Sequence, residues 1–300
     1  MLVTGAAGFV GSRVTRVLLE RGFAVHGVVR DGAGPRLVGV SGVRLEPCDL
    51  ADARAVAELV ARVRPERCVH CAWIATGTYL TSPENAVHVQ SAETLGQLLV
   101  THGCRRIVAL GTCFEYAPSE APLAETSTLG PTTPYAAAKL EAYERLERVC
   151  AGTATSLAWA RLFYLYGPGE DPRRLVPAVT RALLEGRPAP TTAGEQQRDF
   201  LHVDDVARAL VAILESDLSG PVNVASGTAV SVRELVLAIG RLTGRPELLD
   251  LGAIPYAAGD PMAVAADVHR LAETGFAPRW TLEQGLAETV AWWAEELERG

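Results

Sequence analysis

The sequence lacks the features of membrane, secreted and nucleic-acid-binding proteins. None of its uninterrupted apolar runs reaches the ~18 residues of a membrane span, and its N-terminus carries no basic stretch followed by an apolar one. The six cysteines are too few and too scattered for a disulfide framework in 300 residues. The net charge of −7, without a lysine-rich patch, disfavours a nucleic-acid partner. We therefore expect a globular protein of the reducing cytoplasm that does not associate with membranes.

Lysine is nearly absent, although basic residues are not. Of the 28 basic residues 27 are arginine, and the single lysine is Lys139. Either residue suits a solvated charge, whereas arginine cannot easily replace lysine where a pKa has to be tuned. The position of Lys139 is therefore informative. With 48% hydrophobic and 21% charged residues, the rest of the composition is that of an ordinary folded protein.

The N-terminal half alternates short apolar strands with segments of helical period. Strands are predicted at Leu2–Val3, Ala24–Val29, Val43–Leu45, Cys68–Ala72, Ile107–Leu110 and Ser156–Leu162. This alternation predicts an α/β fold, with a Rossmann-type doubly wound parallel sheet and helices on both faces. Because the alternation breaks down beyond Gly167, we expect a Rossmann domain at 1–165. A smaller domain would follow at 166–300, with some segments returning to the first.

A glycine-rich turn lies between the first strand and the first helix. Gly5, Gly8 and Gly11 have the spacing G-x-x-G-x-x-G, and Phe9 and Val10 open the helix. Glycine lets the backbone approach a pyrophosphate closely, and the helix N-terminus offers free N–H groups and a favourable dipole. An ordinary turn can also contain glycines, but the place of this one between strand and helix favours a dinucleotide site.

The residues after the second strand bear on the choice between the two nicotinamide cofactors. An acidic residue there bonds the ribose 2′-hydroxyl of NAD, whereas an arginine can pair with the 2′-phosphate of NADP. The sequence has Arg30 followed by Asp31. Arg30 favours NADP, with NAD as the alternative, although a solvated loop charge would look the same.

Tyr135 and Lys139 lie four residues apart, on one face of a predicted helix. An ammonium group close to a phenol favours phenolate and so lowers the tyrosine pKa from ~10. A tyrosine tuned in this way acts as a general acid or base near neutral pH. A chance pair has the same spacing, but the only lysine of the chain stands here. We therefore predict that both residues are catalytic.

Further motifs follow one another along the chain. They are Asp49-Leu50, His70-Cys71-Ala72-Trp73, Thr112 at the end of a strand, Arg161–Gly169, Arg198–Asp205 and Asn223–Gly227. Together with the glycine turn and the Tyr/Lys pair, this set resembles the NAD-dependent epimerase/dehydratase family of extended short-chain dehydrogenases/reductases. The resemblance spans nearly the whole chain. It is specific for the family and only weakly specific for the substrate, which in this family is mostly a nucleoside-diphosphate sugar.

The resemblance implies roles for individual residues. It makes Thr112 the third catalytic residue, whose hydroxyl holds the substrate oxygen beside Tyr135. The implied cofactor contacts, besides the glycine turn and Arg30, are Asp49, Leu50, Cys71, Ala72, Trp73, Gln90 (in place of an Asn), Tyr135, Lys139 and Phe163. The implied substrate contacts are Thr112, Cys113, Phe114, Tyr164, Arg198 and Asp260. No metal is expected.

Some positions depart from the pattern of the family. Cys113 and Phe114 stand where its dehydratases carry Asp-Glu, which disfavours a 4,6-dehydratase. Tyr164 replaces an Asn that usually touches the substrate, and Ala257 replaces a second phosphate-binding arginine. Arg198 remains as the expected partner of a diphosphate, by charge-assisted bonding.

These observations favour an NADPH-dependent ketoreductase that acts on a nucleotide-linked keto-deoxysugar. The alternative is a nucleotide-sugar epimerase with tightly bound NAD, since both activities use the same residues. A non-catalytic cofactor sensor on the same fold is disfavoured by the Tyr/Lys pair. We also expect a homodimer that pairs the helices predicted at Pro83–His102 and Pro134–Cys150, as is common in the family.

Overall fold

Seven parallel strands form the main sheet in the computed structural model, which describes residues 1–32 and 34–299. The strands are β1 Leu2–Thr4, β2 Val25–Val29, β3 Val43–Pro47, β4 Arg67–His70, β5 Arg106–Thr112, β6 Ser156–Leu162 and, much later in the chain, β10 Gly220–Val224. Their spatial order is β10-β6-β5-β4-β1-β2-β3. The order reverses between β1 and β4, and a crevice opens at the carboxyl ends of the strands at such a switch point.

Helices cover both faces of this sheet. The α-helices of the described residues, some of which cover this sheet, are α1 Phe9–Glu20, α2 Ala53–Val63, α3 Glu84–Thr101, α4 Pro134–Cys150, α5 Leu175–Leu184, α6 Val203–Glu215, α7 Val232–Thr243, α8 His269–Ala272 and α9 Leu282–Arg299. Helices α1 and α6 share one apolar core with the sheet, and α2, α3 and α4 share another on the opposite face. No helix of the described residues has the length and apolar character required to cross a membrane.

Smaller sheets build the second part of the molecule. Their strands are β7 Tyr164–Tyr166, β8 Ala189–Thr191, β9 Gln197–His202, β11 Ala229–Ser231, β12 Leu249–Leu251 and β13 Ala263–Val264. Strand β9 pairs with β7, β11 and β13, while β8 pairs with β12. Helices α5, α7 and α9 pack around a third apolar core.

The two parts are interleaved along the chain. Helix α6 packs against α1, and β10 extends the main sheet by pairing with β6. Residues 203–224 therefore belong to the Rossmann unit, although they come after the predicted boundary at 165. A single cut in the sequence does not separate the two parts.

Local sequence explains where the site-bearing elements begin. Helix α4 starts at Pro134, and the Thr133 side chain accepts a hydrogen bond from the N–H of Ala136 at 3.2 Å. A proline in the first turn and a threonine cap both favour a helix start. Strand β4 ends at His70, earlier than predicted, because the N–H of Ala72 turns to the hydroxyl of Thr4 at 3.2 Å. These boundaries bring α4 and the end of β4 to the same edge of the sheet.

Candidate active site

A cleft of about 1030 Å³ opens at the carboxyl edge of the main sheet. The glycine turn lines one end, and Thr112, Tyr135 and Lys139 line the middle. The other end is lined by residues of the second part, among them Arg198. One continuous cleft therefore contains the predicted dinucleotide turn, the predicted catalytic residues and the predicted substrate end.

The glycine turn has room for backbone only. Gly5 has a φ of +62°, and a Cβ there would lie 2.9 Å from the backbone of Ala72. A Cβ on Gly11 would overlap the carbonyl oxygen of Gly5. Helix α1 begins directly after Gly8 without a side-chain cap, which leaves its first N–H groups available to an anion. The turn therefore fits a pyrophosphate, and a nicotinamide dinucleotide is the group that the cleft suits.

The predicted catalytic residues meet at the end of β5. The Thr112 hydroxyl lies close enough to the Tyr135 phenol to influence its pKa. The Lys139 ammonium donates to the carbonyl oxygen of Leu110 at 2.7 Å. All three side chains are buried. The structure thus brings together a strand-end hydroxyl, a phenol and an ammonium that are up to 27 residues apart in sequence.

Burial dominates the electrostatics of this group. Desolvation lowers the pKa of Lys139 to about 7, although Glu115 and Cys71 act in the opposite direction. Desolvation also raises the pKa of Tyr135, and the neighbouring Thr112 hydroxyl only partly opposes this. The expectation that Lys139 holds the tyrosine pKa below its ordinary value is therefore wrong for the protein alone. The reason is that the phenol is buried among apolar groups, where phenolate is poorly solvated.

A buried ion pair lies next to the end of β5 and holds it in place. Glu115 accepts the N–H of Thr112 at 2.9 Å, in a turn that directly follows β5. Its other oxygen lies 2.7 Å from Nε of Arg161 on β6. Burial raises the pKa of Glu115, and Arg161 opposes that shift. Glu115 thus fixes the backbone from which the Thr112 hydroxyl projects.

The segment between β4 and α3 covers the Tyr/Lys pair from the opposite side. The Tyr79 ring meets Tyr135 edge to face, with ring centroids 4.8 Å apart. Arg174 donates to the Tyr79 hydroxyl at 3.2 Å and to the carbonyl of Ala75 at 3.1 Å. Tyr79 and Arg174 are not predicted from the sequence, because they lie in loops without a regular period. Aromatic residues in the segment that follows Trp73 were the signal available.

The substrate end of the cleft contains aromatic rings and one ion pair. The Tyr164 ring lies 6.2 Å from Phe114 and 5.7 Å from Phe200, between centroids. Arg198 stacks over the same ring at 5.3 Å and pairs with Asp260 at 2.7 Å. With Cys113, every residue assigned to the substrate from the sequence lines this cleft.

The predicted cofactor contacts differ in their placement. Most of them line the cleft, namely Gly5, Gly8, Phe9, Val10, Gly11, Cys71, Trp73, Tyr135, Lys139 and Phe163. Ala72 lies directly beneath Gly5. Arg30 is exposed after β2, and Asp49 and Leu50 follow β3, so these three lie at the same edge of the sheet but outside the cleft.

The predicted cofactor contact of Gln90 is wrong. Its side chain is exposed on the outer surface of α3, where its amide oxygen lies 3.5 Å from Arg145 of α4. Instead, His88 of the same helix turns inward and accepts the N–H of Ile74 at 3.4 Å. The reason is the helical period, since two residues along an α-helix rotate a side chain by about 200°. His88 thus lies on the inner side of α3, against the segment that follows β4, and neither it nor Gln90 is among the residues that line the cleft.

Two further cleft residues were not predicted. Arg36 donates to the carbonyl of Ala7, within the glycine turn, at 3.3 Å and to that of Gly169 at 2.9 Å. Glu170 carries a buried carboxylate oxygen that has no hydrogen-bond partner among residues 1–32 and 34–299, and burial raises its pKa to about 8. Both residues lie in segments rich in glycine and proline, where the sequence gives no period to follow.

His202, Asp204 and Glu288 lie close enough together to resemble a metal site. The N–H of Asp204 donates to Nδ1 of His202 at 3.4 Å, which places the ring proton on Nε2. Nε2 lies 3.0 Å from Glu288, and Arg13 pairs with Asp204 at 3.4 Å. These contacts connect α1, α6 and α9, and this structural connection is sufficient to explain why the three side chains lie together.

The fold and this site together define a dinucleotide enzyme of the short-chain dehydrogenase/reductase type. The chain belongs to the NAD dependent epimerase/dehydratase family, whose profile matches residues 1–225. It is 30% identical to the dTDP-L-rhamnose 4-epimerase of Burkholderia thailandensis, over 100% of this chain and 96% of that protein.

Two other similarities are informative. The chain is 30% identical to the dTDP-glucose 4,6-dehydratase of Streptomyces griseus, over 98% of this chain and 93% of that protein. The UDP-glucose 4-epimerase of Thermus thermophilus, solved in complex with NAD, matches with a TM-score of 0.85. That match has 27% identity and covers 97% of both chains. Similar proteins are thus both epimerases and dehydratases, and one of them binds NAD.

Proposed function

We propose that the protein is an NAD-dependent epimerase that acts on a nucleoside-diphosphate sugar. One observation carries the proposal: Thr112, Tyr135 and Lys139 meet in a cleft that runs from the glycine turn to Arg198. The similar proteins named above act on nucleotide sugars, by their names, and the epimerases among them favour inversion of one carbon over net reduction. These similarities support the alternative from the sequence, the epimerase, better than the ketoreductase that the sequence favoured.

The three central residues have complementary tasks. Tyr135 takes the proton of a sugar hydroxyl during oxidation and gives it back during reduction, as a general base and then a general acid. Thr112, whose hydroxyl lies beside the phenol, holds the same sugar oxygen. Lys139, in its protonated form, opposes the effect of burial on Tyr135, because a positive charge nearby favours phenolate over phenol. A bound NAD, held by the glycine turn, would supply the hydride acceptor for the oxidation and the hydride donor for the reduction.

Elimination of water is not supported by the residues beside Thr112. A dehydratase needs a second acid/base group there, and the chain offers Cys113 and Phe114. Burial raises the pKa of the Cys113 thiol to about 12, so it does not ionise near neutral pH. Phe114 has no proton to exchange. An epimerase needs no such group, because only one hydroxyl is deprotonated and reprotonated.

Arg198 is the residue that we assign to the diphosphate. Its guanidinium is buried at the far end of the cleft, and its partner Asp260 is partly exposed. A diphosphate offers more negative charge than one carboxylate and accepts bidentate bonds. Substrate binding would therefore compete with the Arg198–Asp260 pair. With Ala257 in place of a second arginine, we expect weak binding of the free nucleoside diphosphate.

Ketoreduction with NADPH is the second candidate. It is favoured by one observation, the exposed Arg30 directly after β2, at the position from which a guanidinium can reach a 2′-phosphate. The two candidates differ in stoichiometry. A reductase consumes one reduced cofactor per turnover, whereas an epimerase returns its cofactor unchanged.

The test uses defined nucleotide sugars. Purified protein is incubated with NAD and one nucleotide sugar at a time, which is UDP-glucose, dTDP-glucose or dTDP-L-rhamnose. The sugar in each incubation is followed by proton NMR. We expect one of them to convert to an epimer without net accumulation of NADH. A parallel incubation supplies NADPH and a nucleotide-linked keto-deoxysugar.

The outcomes separate the candidates. Stoichiometric oxidation of NADPH with no epimer in the first arm would replace the epimerase with the ketoreductase. Loss of water from the sugar, seen as a new keto-deoxysugar, would overturn the argument from Cys113 and Phe114. An Arg198→Met variant serves as the control, because it should raise KM for the active sugar much more than it lowers kcat.

A further inference from the structure

The ammonium of Lys139 lies against the face of an aromatic ring. Its Nζ is 3.8 Å from the ring centroid of Trp73. The carbonyl oxygen of Leu110, 2.7 Å away, accepts one of its protons. Trp73 has a π-face that attracts cations, and the attraction strengthens where water is excluded. The ammonium of this lysine is thus in contact with an indole ring as well as with a carbonyl group.

The indole ring is itself held in place. Its Nε1 donates to Oδ1 of Asn85 at 3.0 Å, and its ring lies 5.1 Å from that of His88. Asn85 is buried and donates in turn to the carbonyl groups of Tyr79 at 2.7 Å and Ser82 at 3.0 Å. The orientation of Trp73 is therefore fixed by α3 and by the loop that precedes it.

Trp73 contacts both members of the Tyr/Lys pair. Besides Lys139, it meets the Tyr135 ring edge to face, with centroids 6.2 Å apart. We propose that Trp73 is a positioning residue, which holds the Lys139 ammonium beside Tyr135 through its π-face. Its importance for turnover rests on the proposed function, whereas the contact itself does not. This role is additional to the cofactor contact that the sequence implied for Trp73.

Other ionisable groups surround the ammonium. Those that face Lys139 are Glu115 after β5, His70 and Cys71 at the end of β4, His88 on α3 and Tyr135 on its own helix. Glu115 and Cys71 favour the charged lysine, whereas burial opposes it. A substitution of Trp73 by leucine would remove the aromatic ring and keep an apolar side chain, so that burial, Glu115 and Cys71 would still act on the charge of Lys139. The ring contribution can therefore be isolated by substitution.

The lysine count makes a direct test practicable. Because Lys139 is the only lysine, protein labelled with ¹³C-lysine gives the side-chain signals of this one residue. A CH₂ group next to an indole face experiences a ring current. We expect the ε-CH₂ protons of the unaltered protein to resonate clearly upfield of those of free lysine. Signals at the free-lysine position would overturn the proposal without any variant.

Two substitutions and a control complete the test. Trp73→Leu should remove most of the upfield shift, leaving only the weaker effect of the Tyr135 and Trp159 rings at 5.9 and 6.0 Å. It should also lower the Lys139 pKa by roughly 0.5–1 unit, as expected for loss of a cation–π contact of about 1 kcal/mol. Trp73→Phe should retain most of the upfield shift and most of the Lys139 pKa. Trp292→Leu, on α9, should change neither. A Trp73→Leu protein whose lysine signals and pKa equal those of the unaltered protein would overturn the proposal.

The activity arm uses whichever sugar the protein turns over. Trp73→Leu should lower kcat about tenfold with little change in KM, and Trp73→Phe should restore most of it. An unchanged kcat in Trp73→Leu would show that Trp73 has only a structural role, and would contradict its proposed role in positioning Lys139 for turnover. Because the NMR arm needs no substrate, failure of the proposed function and failure of the positioning role give different results.

Discussion

Glu115 and Arg161 form an ion pair, Oε2 to Nε 2.7 Å, in which both side chains are almost completely buried. Trp159 adds a donor to the same carboxylate at 3.0 Å, and Tyr116 accepts from the guanidinium at 2.9 Å. Buried charges are tolerated when they are paired and hydrogen-bonded in this way. The pair connects β5 to β6 directly below Thr112.

Removing one partner of this pair should destabilise the protein strongly. Arg161→Met leaves the Glu115 carboxylate without its countercharge, and we expect a loss of roughly 3–5 kcal/mol in the free energy of unfolding. Urea denaturation followed by circular dichroism measures it. The double variant Glu115→Gln/Arg161→Met should recover part of the loss. A single variant as stable as the unaltered protein would show that the pair is not needed for the fold.

Glu170 should make stability depend on pH. Burial raises the pKa of its carboxyl to about 8 in the folded protein, against an ordinary value of 4.5. The folded state therefore binds more protons than the unfolded state between these values, and stability contributed by this group falls as the pH rises from 4.5 to 8. Glu170→Gln should be more stable than the unaltered protein at pH 8, by about 1–3 kcal/mol, and show little gain at pH 4.5. Unfolding curves at both pH values check this, and an equal effect at the two would contradict it.

Arg30 should discriminate between the nicotinamide cofactors if the protein uses NADP. Arg30→Ala should then weaken NADPH roughly tenfold or more and leave NADH nearly unchanged, because only NADPH carries the 2′-phosphate. Fluorescence titration with each reduced cofactor measures both affinities. Equal effects on the two would assign the protein to NAD and remove the main support for the ketoreductase.

The homodimer stays a prediction. Helices α3 and α4 pack side by side, but Leu95 and Leu99 are buried against the protein's own sheet and are not available to a partner. Ala137 is exposed on α4 and small enough for close approach of another helix. We expect sedimentation velocity at micromolar protein to show twice the 31.9 kDa chain mass, and Ala137→Arg to shift it to the single chain. A single-chain species for the unaltered protein would reject the dimer.

Much of the fold could be predicted because its signals are local. The alternation of strands and helices follows from periodicity, and the glycine turn is contiguous in sequence. The return of α6 and β10 to the first sheet could not be located, because strand pairing between distant segments has no local signature. The same holds for the site. Thr112, Tyr135 and Lys139 follow from motifs, whereas Tyr79 and Arg174 meet only through the folding of two loops.

The errors have equally specific causes. Gln90 and His88 differ by two positions on one helix, and which of them turns inward depends on a rotation that the sequence leaves open. The pKa of Tyr135 was expected to fall because its charged neighbour is visible in sequence. Burial, which raises it, depends on how completely Tyr79, Trp73 and Thr112 enclose the phenol.

The central claim is that Tyr135 moves the proton in a reaction carried out in this cleft. The most direct measurement compares kcat of Tyr135→Phe with that of the unaltered protein on the active nucleotide sugar, with NAD affinity measured in parallel. The account predicts that kcat falls by roughly 10²–10⁴ while NAD affinity stays nearly constant, because only the phenolic hydroxyl is removed. Full turnover by Tyr135→Phe would contradict the account.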